Sequence, residues 1–223
     1  MKPNYSVILL KFQKNKLVIY TGLMLAMLSA CTNSRKGNVA KECIALNDKG
    51  VSYLVNPTFG EKGTLDKAIN LFKEAIECDS NYLIAYINIA NAYGQKHDFP
   101  EVMKAYNFIL KHSNNSPVFV VQKAILFERI NQTDSAKNYY NIAMNLYSKQ
   151  LLKNPNNVGV IKEVISLKAY MGGKDDAIKE IDKQIKLHPN LERELSIDYE
   201  LYKYFNRYDA IHGLTTEVDM NKR

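Results

Sequence analysis

The 223-residue chain contains no tryptophan, six prolines and ten glycines. This scarcity of helix-breaking residues favours long helices over a turn-rich β fold. Hydrophobic residues make up 46% of the chain and charged residues 24%, which is ordinary globular composition. That composition excludes a wholly disordered chain, a collagen and a polytopic membrane protein.

The chain also lacks a strong excess of positive charge outside its N-terminus. The formal net charge is +7, but Lys2, Lys11, Lys14 and Lys16 supply four of these charges and residues 1–30 contain no acid. The remainder is nearly balanced, whereas nucleic-acid-binding proteins usually carry a strong basic patch. We therefore expect no nucleic-acid partner.

Signals for catalysis or metal binding are missing as well. The four histidines, His97, His112, His188 and His212, are not paired at metal-ligand or catalytic spacing. Gly172-Gly173 is interpreted as a helix stop and not as a phosphate-binding loop. Although a catalytic triad can assemble from distant positions, the sequence predicts no enzyme, no catalytic residues, no metal and no cofactor.

The first thirty residues have the parts of a secretory signal. A basic segment, residues 1–16, precedes an apolar run of about 14 residues that ends at Ala30, which is shorter than the roughly 20 residues that span a bilayer. Leu28-Ser29-Ala30-Cys31 resembles the bacterial lipobox. The resemblance implies that residues 1–30 are removed and that Cys31 is lipidated, which anchors the protein to a membrane. The alternatives are an uncleaved signal anchor and a secreted protein in which Cys31 is incidental.

The residues after Cys31 suggest a destination. Under the enterobacterial sorting rule, aspartate after the lipidated cysteine retains a protein at the inner membrane, and Thr32 occupies that position. We therefore expect an outer-membrane lipoprotein that faces the periplasm, with exposure at the cell surface left open. Residues 31–40 form a short polar segment that is interpreted as a tether.

A fixed period runs through the rest of the chain. One spacing pattern occurs four times. It consists of a small or apolar residue, a large residue four positions later and a third residue three positions after that. The four copies are Ala68-x3-Phe72-x2-Ala75, Val102-x3-Tyr106-x2-Ile109, Ala136-x3-Tyr140-x2-Ala143 and Ala177-x3-Ile181-x2-Gln184. The first three begin 34 residues apart, and the fourth follows after 41.

This pattern resembles the tetratricopeptide repeat (TPR), a 34-residue pair of helices with small residues at positions 8 and 20 and aromatic residues at positions 11 and 24. The resemblance implies an all-α fold, a right-handed superhelical stack of antiparallel helix hairpins. We expect this solenoid over residues 41–215, as four repeats plus a partial fifth or capping helices, followed by a tail at 216–223. The match is degenerate, because Tyr86 and Val120 stand where the family has Trp and because Ile165 and Lys168 replace a small and an aromatic residue.

The expected hairpins place the two remaining cysteines at neighbouring helix ends. Cys43 opens the first helix of repeat one and Cys78 lies near the end of its second helix, so their helix ends are neighbours in an antiparallel pair. A disulfide is feasible between them, and two buried free thiols are the alternative.

One helix is expected to be longer than the pattern requires. In the third repeat, Pro155 falls seven residues past its usual position, which adds two turns to the second helix. The apolar stripe of this extension, which includes Tyr147 and Leu151, either packs on the first helix of repeat four or projects as a ledge for a partner.

A stack of helix hairpins offers a concave surface that the first helix of each repeat lines. In this chain the residues that we predict to bind a partner there are Ile84, Ile87, Asn88, Asn91, Val121, Ile125, Arg129, Lys162 and Tyr170. The carboxylate clamp of chaperone-binding family members is matched only at Asn88. Each residue could alternatively serve ordinary packing between repeats.

These observations predict a lipid-anchored periplasmic scaffold or adaptor that binds another envelope protein or peptide through its concave surface. The family resemblance implies a role in envelope assembly. The alternative is a ligand- or glycan-binding lipoprotein in nutrient uptake. Its one candidate feature is a tyrosine-rich stretch, Tyr199, Tyr202, Tyr204 and Tyr208, which we interpret mainly as part of a capping helix.

Overall fold

The computed structural model describes residues 39–55 and 63–212 of the chain. The predicted signal peptide, Cys31, residues 32–38 of the predicted tether and residues 213–223 lie outside the described residues, as do residues 56–62. Within the described ranges no helix is long and apolar enough to cross a membrane.

The described residues form ten α-helices and one short 3₁₀ turn, Pro189–Leu191, and contain no β-strand. The helices are α1 (Lys41–Val55), α2 (Thr64–Cys78), α3 (Leu83–Gln95), α4 (Phe99–His112), α5 (Pro117–Arg129), α6 (Thr133–Lys153), α7 (Val158–Gly172), α8 (Lys174–Leu187), α9 (Glu192–Tyr202) and α10 (Arg207–His212).

The first eight helices pack as consecutive pairs. α1 packs on α2, α3 on α4, α5 on α6 and α7 on α8. Each pair also contacts the next, through α2 with α3, α4 with α5 and α6 with α7, so the hairpins lie side by side in chain order. This arrangement is the stack that the 34-residue period predicts. The described part of the chain is an all-α, TPR-like solenoid.

The repeating residues form the core of the stack. All twelve residues of the four sequence copies are buried. The one polar member, Gln184, donates a hydrogen bond of 2.7 Å to Oε1 of Glu180, a buried residue on the same helix. Periodic burial of these positions holds the second helix of each pair against the first, which explains why the period is visible in the sequence.

Gly50 shows why the first helix needs a small residue at the crossing point. A Cβ atom at this position would lie 2.6 Å from Cε1 of Phe72, far inside van der Waals contact. Phe72 is fully buried between the helices. Glycine therefore lets the aromatic ring sit directly against the backbone of α1.

Short polar signals end and begin the helices as the sequence indicates. The Asp98 side chain caps α4 by accepting from the Glu101 N–H, and Pro100 lies in the first turn. The Asn157 side chain caps α7 by accepting from the Val160 N–H at 3.2 Å. Gly173 joins α7 to α8 with a φ of 89°, a conformation that favours glycine.

Cys43 and Cys78 form a disulfide in the structure, with their Cα atoms 5.5 Å apart. The bond joins the start of α1 to the end of α2 and thereby closes the first hairpin. Cys43 is buried against Ala75, Tyr82 and Ala85, which form a small apolar cluster at this end of the stack.

The extended second helix of repeat three packs on its neighbour. α6 has 21 residues against 14 in α4, which is the seven-residue excess that the sequence predicts. Tyr147 is buried and donates a hydrogen bond of 3.2 Å to Oε2 of Glu163 on α7. Leu151 also packs into the core, whereas Leu152 is 82% exposed. The extension therefore supports α7 in the described structure.

Candidate functional site

The first helices of the pairs, α1, α3, α5 and α7, carry the predicted groove residues, but the structure separates these residues into two sets. Ile84, Asn88, Asn91, Arg129 and Lys162 are partly exposed. The other four predicted residues are buried in the apolar core: Ile87, Val121, Ile125 and Tyr170. Their side chains pack between adjacent helices, because neighbouring hairpins approach closely at these positions. These four side chains are packed in the core of the described structure, and their binding of a partner stays a prediction.

Two asparagines connect α1 to α3. Nδ2 of Asn88 donates a hydrogen bond of 2.8 Å to Oδ1 of Asn47, which is only 3% exposed. Asn47 in turn donates to Oδ1 of Asp48. This bond fixes the spacing of the first two hairpins. Asn88 is consequently engaged within the chain, while Asn91 lies one helical turn further along the same face of α3.

Lys162 on α7 forms ion pairs with two carboxylates of α9. Its Nζ lies 3.0 Å from Oε1 of Glu194 and 3.3 Å from Oδ2 of Asp198, both on α9. Partial burial lowers the pKa of Lys162, but the two carboxylates outweigh burial and raise it overall. Burial also raises the pKa of Asp198, against the opposing effect of Lys162. Lys162 is thus paired within the chain in the described structure, and its binding of a partner stays a prediction.

The last helix, α10, folds back across α5 and α7. Ile211 is 1% exposed and belongs to the main apolar cluster of the stack. Nε of Arg129 on α5 donates to the backbone carbonyl of Ile211. From α10, Arg207 donates to the backbone carbonyl of Tyr170 and forms an ion pair with Glu128.

The turn before α10 holds it in place through aromatic contacts. The Phe205 ring meets Tyr170 edge-on, with ring centroids 6.0 Å apart, and lies 5.7 Å from the ring of Tyr202. Tyr202 is buried, and its hydroxyl donates a hydrogen bond of 3.0 Å to Oγ of Ser166 on α7. We call α10 and residues 203–206 the C-terminal cover.

The cover contacts Arg129 and Tyr170, two of the residues predicted to bind a partner. Both residues are engaged with the chain's own C-terminal segment in the described structure, and their binding of a partner stays a prediction. The C-terminal cover packs on α5 and α7, which are the first helices of the third and fourth pairs. On α1 and α3, Ile84 and Asn91 are partly exposed and Ile44 is 38% exposed. The sequence predicts capping helices in this region but not their contacts with Arg129 and Tyr170, because α10 has only six residues and no repeat period.

A shallow recess remains between α5 and α7 beside the cover. Its volume is about 10 Å³, room for about one water molecule. The recess is lined by Val118, Val121, Gln122, Glu163, Ser166, Leu167 and Tyr170. Burial raises the pKa of Glu163, although the hydrogen bond from Tyr147 acts in the opposite direction. The sequence gives no signal for this partly buried acid, which is a single residue without a motif.

The tyrosine-rich stretch is divided by the fold. Tyr202 is buried, whereas Tyr204 and Tyr208 are exposed. The Tyr208 ring lies 4.5 Å from the ring of His212 on the same helix. The stretch therefore serves partly as core and partly as surface. Within residues 39–55 and 63–212 no group of three or more His, Cys, Asp or Glu side chains could hold a metal ion.

Comparisons with known proteins show similarity to solved structures and no match to a family model or a curated protein. Among solved structures, the chain is similar to the crystal structure of a tetratricopeptide repeat protein from Parabacteroides merdae ATCC 43184, at 17% sequence identity and a TM-score of 0.47. The alignment covers 94% of this chain and 76% of that chain. We assign the TPR-like fold from the chain's own helix pairs and their buried repeat positions.

Proposed function

We propose that this protein is a lipid-anchored scaffold or adaptor of the bacterial cell envelope, and that it binds a partner protein or peptide through the exposed face of α1 and α3. The observation that carries the proposal is the division of the concave side. The C-terminal cover occupies α5 and α7, while the first two hairpins leave apolar and amide side chains accessible.

The chemistry of the open face favours an apolar segment. Ile44 and Ile84 provide exposed or partly exposed aliphatic surface, and the Asn91 side chain offers both an amide donor and an acceptor. A partner helix or an extended peptide with aliphatic side chains would bury the isoleucines, and its polar groups would pair with the amide. We propose no catalytic role for this surface.

The proposed location depends on Cys31 and is supported by the disulfide. The lipobox-like Leu28-Ser29-Ala30-Cys31 predicts export and lipidation, and Thr32 favours the outer membrane facing the periplasm. A Cys43–Cys78 disulfide fits an oxidising compartment such as the periplasm. Replacing Cys31 with serine should release the protein from membranes, which fractionation of intact cells would measure. Unchanged membrane retention would contradict lipid anchoring.

Site-specific photo-crosslinking in intact envelopes tests the binding face. A photoreactive residue at position 91 should give a discrete adduct with one envelope protein. The matched control is position 137, because Lys137 is exposed on α6, a second helix of a pair. Equal yields of the same adduct at both positions, or no discrete adduct at position 91, would contradict the proposed face.

Exposed tyrosines favour one alternative function. Tyr204 and Tyr208 present aromatic surface of the kind that binds sugars, which suits a glycan-binding lipoprotein in nutrient uptake. Saturable binding of an oligosaccharide that is lost in Tyr204→Ala and Tyr208→Ala, together with the absence of a protein adduct at position 91, would favour this alternative over the scaffold.

A further inference from the structure

A cleft of about 680 Å³ lies between α4 and α5, away from the concave side. Phe99, Met103, Phe127 and Ile130 form its apolar walls, and Asn107 and Lys123 supply polar groups. The helical spacing places Lys123 and Phe127 about 100–160° around α5 from Gln122 and Arg129. The cleft is therefore separate from the proposed partner-binding face.

Lys123 is the unusual residue in this cleft. Only 6% of it is exposed, although lysine is rarely this deeply buried unless its charge is paired. Its Nζ donates a hydrogen bond of 2.7 Å to Oδ1 of Asn107. It also lies 4.8 Å from the ring centroid of Tyr139 and 5.9 Å from that of Phe127.

These neighbours satisfy the ammonium group only in part. A lysine ammonium has three N–H donors, and the neutral Asn107 amide accepts one of them. Across the part of the chain that the structure describes, no carboxylate lies within 4.0 Å of the Lys123 Nζ. A buried cation of this kind is stabilised when a carboxylate enters beside it, because the charge-assisted hydrogen bond forms away from bulk water.

We propose that the cleft binds a small apolar carboxylic acid, with its carboxylate on Lys123 and Asn107 and its aliphatic or aromatic body against Phe99, Met103 and Phe127. The charge and the apolar lining determine this chemical class. The volume of about 680 Å³ falls in the range of small-molecule sites.

Ligand-observed NMR titration of the full-length chain in a nonionic detergent tests this site. The probes are octanoate and 4-phenylbutyrate, and the neutral comparison is 4-phenylbutyramide. Replacing Lys123 with methionine keeps a long apolar side chain but removes the charge. We expect saturable binding of at least one acid that weakens by about tenfold or more in this variant, since a hydrogen bond to a charged group is lost. The amide should bind the unaltered protein more weakly than 4-phenylbutyrate does.

A second variant protects the test against a folding defect. Asn107 is exposed, so Asn107→Asp should fold normally and provide Lys123 with an internal carboxylate that competes with the ligand. This variant should also lose binding by about tenfold or more. The matched control is Lys104→Met, because Lys104 lies on α4 and is paired with Glu101 at the surface. Absence of saturable binding of both acids to the unaltered protein would overturn the proposal, and so would an affinity in Lys123→Met and Asn107→Asp equal to that of the unaltered protein.

Discussion

Arg129 on α5 donates a hydrogen bond from Nε to the backbone carbonyl oxygen of Ile211, a residue 82 positions further along the chain. This contact connects the third hairpin to the last described helix. Together with the burial of Ile211 and the Arg207–Glu128 ion pair, it holds the C-terminal cover over the ends of α5 and α7. The C-terminal cover therefore occupies part of the side of the stack that the first helices form.

Shortening the Ile211 side chain should loosen the cover. Ile211→Ala removes buried methyl groups, and the expected loss is about 2–5 kcal/mol from the free energy of opening this region. Amide hydrogen exchange should accelerate in α10 and in the ends of α5 and α7, while exchange in α1 and α2 stays unchanged. Tyr208→Ala, on an exposed position of α10, is the control and should have little effect. Uniform acceleration across all hairpins would contradict a local role.

The close contact between Gly50 and Phe72 predicts opposite effects of two glycine substitutions. Gly50→Ala should destabilise the protein by about 1–3 kcal/mol, because the new methyl group overlaps Phe72. Gly94→Ala is the control, since a Cβ there meets no described atom within 4 Å outside its own helix. It should be neutral or stabilising by up to about 1 kcal/mol. Urea unfolding measures both, and a stabilising Gly50→Ala would show that α1 does not pack as described.

Removing the disulfide should destabilise the first hairpin. Cys43 and Cys78 are 35 residues apart in sequence, and closing a loop of this length contributes about 3–4 kcal/mol on the chain-entropy model. The double variant Cys43→Ala, Cys78→Ala should unfold at lower urea concentration, and reductant should shift the unaltered protein in the same direction. Reductant should have no effect on the double variant. Cys31→Ser should leave the effect of reductant unchanged, and a loss of that effect would point to a different cysteine pairing.

Glu163 should make stability depend on pH. Burial raises the pKa of Glu163 in the folded state above the reference value of 4.5, although Tyr147 partly opposes this shift. The unfolded chain therefore loses this proton at lower pH than the folded chain. The Glu163 contribution to stability falls as pH rises from the pKa of the unfolded state through the raised pKa of the folded state. We expect Glu163→Gln to exceed the unaltered protein in stability at pH 7, with the advantage shrinking as pH falls from the raised pKa of the folded state towards 4.5 and absent below 4.5. Urea unfolding at a series of pH values measures this difference. A constant difference across the series would contradict the assignment.

The sequence predicts the fold well where packing repeats and poorly where a contact occurs once. The buried Ala68, Phe72 and Ala75 recur at a fixed spacing because each hairpin solves the same packing problem. The length of α6 is likewise readable from the position of Pro155. The repeated helix pairs can therefore be predicted from one sequence.

The candidate sites depend on contacts that have no period. The docking of Ile211 and Arg207 follows from which surfaces remain uncovered after the hairpins stack, and a six-residue helix carries too little pattern to reveal it. Burial of Val121 and Tyr170 reflects close spacing between neighbouring first helices. Lys123 looks like an ordinary surface lysine in the sequence, and only the three-dimensional contacts show its burial without a carboxylate.

The most direct test of the account places a charge on the open face and measures partner capture. Ile84→Glu should abolish the adduct formed from the photoreactive residue at position 91, because a carboxylate cannot be buried against an apolar segment without a large cost. Lys137→Glu is the matched control on α6 and should leave the adduct unchanged. Circular dichroism should show the same helix content in both variants. An adduct that persists in Ile84→Glu at the yield seen in Lys137→Glu would contradict binding through α1 and α3.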